Sequence, residues 1–159
     1  MLFKQNKKIP LDKFIYNSLY NKEKGYYIKK NPFGKNGDFI TSPNISVFFS
    51  EMITIWLISF WENLKKPKKV NIVELGAGNG EMMSQIIKTL DNFNEIKLSA
   101  NLLILEKSPL LIKIQKDKLN KKKVKWIKNF KKIPKIPTIF LANEFFHAFP
   151  IKRHLKKGN

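Results

Sequence analysis

Val70-Asn-Ile-Val-Glu-Leu-Gly-Ala-Gly-Asn-Gly80 is the stretch on which the reading of the fold turns. Val70 to Leu75 reads as a buried strand, glycines follow at 76, 78 and 80, and Glu81 to Leu90 carries apolar residues at helical spacing. Glycines between such a strand and a helix allow positive φ, and they let backbone N–H groups approach a ligand at the helix N-terminus. That arrangement is a nucleotide-type site.

Working outward, Ala100 to Glu106 reads as a second strand, Pro109 to Asn120 as a helix, Val124 to Ile127 as a short strand and Thr138 to Ala142 as a strand leading into Asn143. This alternation predicts an α/β fold of Rossmann-like type, a mostly parallel sheet with helices on both faces. Four strands fall short of the roughly six of a complete nucleotide-binding domain, so the fold is expected to be truncated after about four strands. Upstream lies an N-terminal helical segment. Pro10 to Tyr20 reads as a short helix, Lys24-Gly25 as a turn before Tyr26-Tyr27, and Asn31 to Asp38 as a loop. Ser42-Pro43 is a helix start, with the Ser hydroxyl as cap and about five turns to follow. Ile45, Phe48, Phe49, Met52, Trp56 and Phe60 share one face of that helix, while Val47, Ile55 and Ile58 make the opposite side apolar, so most of its circumference should be covered. Residues 1–66 are thus expected to form a helical and loop segment, and residues 67–159 a Rossmann-like domain.

Composition narrows the function. Thirty-one Lys+Arg against 12 Asp+Glu give a formal charge of +19, which favours an anionic partner. Yet Arg153 is the only arginine, and Lys, Ile, Asn and Phe are all plentiful, as AT-rich codon usage produces. Arginine is the residue that forks onto phosphates and guanines, so nucleic acid is disfavoured as a partner. The absence of cysteine excludes disulfides, thiolate metal sites and a cysteine nucleophile. The first residues lack the apolar run of a signal peptide, and a bacterial cytoplasm fits best. Ile45 to Trp61 is apolar, but Glu51 near its middle argues against stable membrane insertion.

Dinucleotide enzymes use G-x-G-x-x-G, whereas here the third glycine comes one residue early and Glu81, at the helix terminus, would oppose a pyrophosphate. The form Glu74-x-Gly76-x-Gly78-x-Gly80 resembles motif I of class I methyltransferases, whose ligand carries a cationic sulfonium and an amino acid, and the acidic Glu74 suits it. Glu106 at the end of the second strand can accept ribose hydroxyls, or else it caps the helix begun at Ser108-Pro109. Asn143 and Glu144 stand where α/β folds place their ligands and would face the transferred methyl group, unless Asn143 is a helix cap and Phe145 and Phe146 are core. His147 and His154 have no metal-ligand spacing, so no metal is expected.

The segments GYY (Gly25 to Tyr27), PFG (Pro32 to Gly34), GDFITSP (Gly37 to Pro43), VELGAGNG (Val73 to Gly80), LEKSP (Leu105 to Pro109) and LANEFFHAFPI (Leu141 to Ile151) resemble, in order, the MidA family of methyltransferases. The resemblance covers nearly the whole chain, and GDFITSP and ANEFF are more specific than the glycine turn. It implies S-adenosyl-L-methionine held by Gly76, Gly78, Gly80 and Glu106, with Asp38, Thr41 and Ser42 folding over the site from residues 1–66 and Asn143 and Glu144 lining the acceptor side. It also implies protein arginine methylation linked to respiratory complex I assembly, a complex I subunit as protein substrate, and a mitochondrial matrix location if the source is eukaryotic. His147 departs from the aspartate of the family's N-E-F-x-D-A-x-P. Two alternatives belong to other classes: a non-enzymatic assembly or scaffold protein that keeps the cofactor fold, and a nucleic-acid methyltransferase.

Overall fold

The computed structural model describes residues 8–34, 37–119 and 124–156. Two compact units divide the chain, one formed by the N-terminal residues through Lys30 with the segment from Glu144 onward, the other by Asn31–Asn143.

The larger unit is built on a four-stranded parallel sheet in the order β3-β2-β1-β4, with β1 Val70–Leu75, β2 Ala100–Leu105, β3 Val124–Ile127 and β4 Thr138–Leu141. All six residues of β1 are buried, as its near-continuous apolar run predicts for a strand paired on both edges. Its one amide is satisfied within the sheet. Asn71 Nδ2 donates to Pro134 O at 2.9 Å and Thr138 Oγ1 at 3.0 Å, and the Asn71 backbone N–H donates to Pro137 O at 2.8 Å. Asn71 thereby anchors the connection that carries the chain back from β3 to β4.

The helices are α1 Leu11–Tyr20, α2 Tyr26–Lys29, α3 Ser42–Ile45, α4 Val47–Asn63, α5 Glu81–Leu90, α6 Asn94–Ser99 and α7 Pro109–Lys118. Helix α5 buries Met82, Met83, Ile86, Ile87 and Leu90, and packs with Leu57 and Trp61 of α4 against Val70, Ile72, Ile139 and Leu141 of the sheet. A second cluster joins Met83 and Ile87 to Ile104, Leu119 and Val124. Helix α7 begins as expected, Ser108 Oγ accepting from Leu111 N with Pro109 at the first helical position.

The expected five-turn helix after Ser42-Pro43 is instead two pieces. Thr41, not Ser42, precedes the first piece, and no side chain caps it. Ser46 then adopts an extended conformation (φ −140°, ψ 127°), so that α3 and α4 are separate. The buried face of α4 also differs from expectation: Ser50, Thr54, Leu57 and Trp61 face inward, while Phe48, Met52, Ile55, Trp56 and Phe60 are exposed. Small residues permit close approach, and the Thr54 hydroxyl donates to Ser50 O at 2.7 Å, which disposes of its polarity locally. No helix among the described residues is long and apolar enough to cross a membrane.

In the smaller unit, α1 ends at Asn21, whose Oδ1 accepts from Glu23 N and Lys24 N at 2.9 and 3.0 Å. Gly25 follows where a Cβ would lie 2.6 Å from the Asn21 backbone, so the first glycine of GYY is required by space. Tyr20 stacks near Tyr27, and its hydroxyl donates to Ala148 O at 2.9 Å. That carbonyl belongs to a 3₁₀ turn, Phe145–Ala148, where Phe145, Phe146 and Phe149 pack edge to face or tilted.

Candidate cofactor site

The carboxyl ends of β1 and β2 are in register, Leu75 opposite Leu105, and Gly76 N donates to Leu105 O at 3.0 Å. Two loops therefore leave the sheet side by side. In the first, Gly76, Gly78 and Gly80 have φ of 65°, 54° and 78°, a left-handed conformation that residues with a Cβ adopt at a cost of roughly 1–2 kcal/mol each. Gly78 is constrained by space as well, because a Cβ there would lie 3.3 Å from the Phe33 ring. The turn closes with Gly80 N donating to Ala77 O at 2.7 Å and opens directly into α5.

Glu74, the fifth residue of β1, is 3% exposed, and its Oε2 finds no hydrogen-bond partner in the structure described. Burial pushes its carboxyl up to about 8, the neighbouring Glu106 charge adds to the rise, and the Met83 backbone N–H in the first turn of α5 opposes it. An orphaned, buried carboxyl oxygen beside a glycine turn lacks a polar partner, and a cation brought to it would favour its charged form.

Glu106 begins the second loop. Its Oε1 accepts from Lys107 N at 2.8 Å and Ser108 N at 2.9 Å, and its Oε2 accepts from Gln115 Nε2 at 3.3 Å. Burial raises its pKa above the ordinary carboxylate value, with these donors offsetting part of the rise. Both readings of Glu106 thus have a basis: it organises the turn into α7, and it retains acceptor capacity on Oε2. Glu81 lies at the start of α5. Burial alone would raise it, but Lys118 at 2.5 Å and Gln85 at 2.8 Å outweigh burial and hold it below the usual range.

The GDFITSP segment meets the glycine turn within this unit. Asn44 Nδ2 donates to Thr41 Oγ1 at 2.9 Å, and Asn44 Oδ1 accepts from Asn79 Nδ2 at 2.7 Å. Thr41 and Ser42 are half-buried, and Asp38 is exposed. A Cβ on Gly37 would lie 2.3 Å from Pro32 O, so the glycine of this motif also serves close packing. Asn143 ends the larger unit, half-buried, two residues past β4. Glu144 opens the smaller unit's second segment, exposed, at φ 53°.

Several residues at this site escaped the sequence reading. Gln115 is fully buried, donates to Gly78 O at 2.9 Å and accepts from Trp126 Nε1 at 2.8 Å. A lone amide at an inward position of α7, four residues from each of Leu111 and Leu119, was the available signal. Asn44 and Asn79 offered none beyond their types.

No metal-ligand cluster exists among the described residues. A parallel sheet with a left-handed glycine turn after its first strand, a buried carboxylate within that strand and another just after the second defines a Rossmann-like domain of class I methyltransferase type. The resemblance read from the sequence holds at the level of family: the chain belongs to the family described as "Putative S-adenosyl-L-methionine-dependent methyltransferase", which matches residues 52–159. Among its relatives is the mitochondrial protein arginine methyltransferase NDUFAF7 of Xenopus laevis, 30% identical over 91% of this chain and 39% of that protein. The human protein of that name is 30% identical over 93% of this chain and 39% of its own length. The chain therefore spans about two fifths of the length of these curated relatives. A crystal structure from Burkholderia thailandensis, described as a "COG1565 superfamily member and likely methyl transferase" bound to S-adenosyl-homocysteine, superposes with a TM-score of 0.74 at 21% identity, covering 89% of this chain and 38% of that one, which shows the fold.

Proposed function

We propose that this chain binds S-adenosyl-L-methionine and carries the cofactor half of a protein arginine methyltransferase. The observation that carries the reading is the unpartnered, buried Glu74 Oε2 beside the left-handed turn Gly76–Gly80. The residues present fit that ligand: a cationic amino acid group answers the buried carboxylate, a ribose answers Glu106, and the absence of phosphate suits a helix that starts with Glu81.

When bound, the ligand would supply an electrophilic methyl group on a sulfonium, for an acceptor nitrogen that gives up a proton. What remains for the protein is alignment and exclusion of water. Gly76, Gly78 and Gly80 admit the ligand to the backbone, Glu74 and Glu106 hold its two polar ends, and Thr41 and Ser42 border the turn, with Asp38 in the same motif. Asn143 and Glu144 serve the acceptor: Glu144 orients a guanidinium by charge-assisted hydrogen bonds and takes part in removing its proton, while Asn143 sets the angle. The arginine acceptor follows from the named relatives, and a respiratory complex I subunit as its bearer follows from the MidA resemblance. The location proposed with this reading is a bacterial cytoplasm, or the mitochondrial matrix if the source is eukaryotic.

Calorimetric titration with S-adenosyl-L-methionine, with NADH as control, tests the cofactor reading. Saturable binding that Gly78→Val abolishes supports it; a folded chain that binds neither compound sinks it.

A further inference from the structure

We propose that Gln115 is a positioning residue of the cofactor site: held by Trp126, its amide ties back the glycine turn and aims Glu106 at a ribose. The inference rests on the cofactor reading and adds to it a residue from α7 and a residue from β3.

Gln115 is wholly buried, and each end of its amide is used. Indole N–H can only donate, so the Gln115 atom 2.8 Å from Trp126 Nε1 is the carbonyl oxygen. The NH₂ group is thereby turned to the opposite side, where its two hydrogens meet Gly78 O at 2.9 Å and Glu106 Oε2 at 3.3 Å. The side-chain stem lies against the turn too, since a Cβ on Gly80 would be 3.4 Å from Gln115 Cγ. One side chain thus touches the turn at two of its glycines and touches the carboxylate of the neighbouring loop.

Two consequences follow. In a planar trans peptide the N–H points opposite to the C=O, so tying the Gly78 carbonyl toward α7 turns the Asn79 N–H away from α7. Second, Glu106 Oε1 already accepts two backbone N–H groups, so its remaining capacity lies on Oε2, the oxygen that Gln115 holds. Recognition of ribose hydroxyls therefore depends on Gln115, although Gln115 itself touches no ligand.

The test compares dissociation constants of S-adenosyl-homocysteine and its 2′-deoxy and 3′-deoxy analogues for the unaltered chain, Gln115→Leu and Trp126→Phe, with cooperative unfolding as a check on each variant. The unaltered chain is expected to prefer the ribose compound over at least one deoxy analogue by about tenfold or more, the scale of a hydrogen bond to a charged group. In Gln115→Leu that ratio is expected to fall toward one. Trp126→Phe leaves the amide free to turn over, and the ratio is expected to fall part of the way; because Trp126 is only half-buried, this variant decides the matter if Gln115→Leu does not fold. Weakening of all three compounds by the same factor, with the ratio unchanged, would overturn the inference and leave Gln115 a packing residue. No binding of S-adenosyl-homocysteine by the folded, unaltered chain overturns the cofactor reading and this inference together.

Discussion

Asn79 Nδ2 donates to Asn44 Oδ1 at 2.7 Å, joining the glycine turn after β1 to the short helix α3 that begins at Ser42. The same Asn44 side chain donates to Thr41 Oγ1, so a single amide bridges two motifs that lie 35 residues apart at their nearest bonded pair.

Asn44→Ala is expected to lower stability by about 1–2 kcal/mol, because it removes two hydrogen bonds and strands the Asn79 amide. The measurement is a urea titration, with the midpoint falling and the slope unchanged. An unchanged midpoint would mean that water serves Asn79 equally well.

Gly78→Ala carries two penalties, a left-handed Cβ at φ 54° and a 3.3 Å approach to the Phe33 ring. The expected loss is about 2 kcal/mol, and Phe33→Leu in the same chain is expected to restore the part due to the ring. Strict additivity of the two substitutions would show that Phe33 yields freely.

Glu74 makes stability depend on pH. Its folded pKa of about 8 stands above the unfolded value near 4.5, so between these limits the folded chain binds the extra proton. Stability is therefore greatest below the unfolded pKa and declines as pH rises, by up to about 1.4 kcal/mol per pH unit, until about pH 8. Glu106 is raised as well and acts with the same sign, whereas Glu81 is lowered and contributes stability that is lost only as pH falls through its folded pKa. Melting temperatures of Glu74→Gln between pH 5 and 8 are expected to vary less than those of the unaltered chain. An equally steep decline in the variant would remove Glu74 as its origin.

Glu144 occupies a left-handed conformation at φ 53° without being glycine, at a cost of roughly 1–2 kcal/mol. Lys65 and Lys66, also exposed, share that conformation, so the role proposed for Glu144 rests on its place after β4 and is tested by substitution. Glu144→Gly is expected to leave stability within about 1 kcal/mol of the unaltered chain or to raise it, while methyl transfer to an arginine acceptor by the enzyme falls by about a hundredfold or more. Scanning calorimetry and transfer of a labelled methyl group read the two quantities separately, and undiminished transfer would remove Glu144 from the mechanism.

The elements legible in the sequence were those whose signal is local. β1, β3 and α5 fall where their apolar runs and periodicity place them, and Ser108-Pro109 starts α7 as its chemistry requires. Helix α6, Asn-Glu-Ile-Lys-Leu-Ser, is too short and polar to carry a period. The inward face of α4 was illegible for the opposite reason: a helix apolar all round has no preferred side, and the choice fell to the small residues Ser50 and Thr54. The break at Ser46 has no glycine or proline to announce it. Of the candidate site, the glycines and the two buried carboxylates were visible as a motif, but the Gln115–Trp126 support depends on β2 and β3 lying side by side, which no local pattern records.

The central position of β1 also sets an order of events for the growing chain. Its Asn71 meets Asn101 of one neighbouring strand across 30 residues of sequence, but meets Thr138 of the other across 67. Closing the longer loop costs more entropy, and at a synthesis rate of about 5–20 residues per second the β1–β2 pair has seconds to form before β4 exists. β4 is then a late arrival at a prepared edge. Substitutions in β4 should speed unfolding while leaving the rate of folding nearly untouched, whereas those in β1 and β2 should slow folding itself.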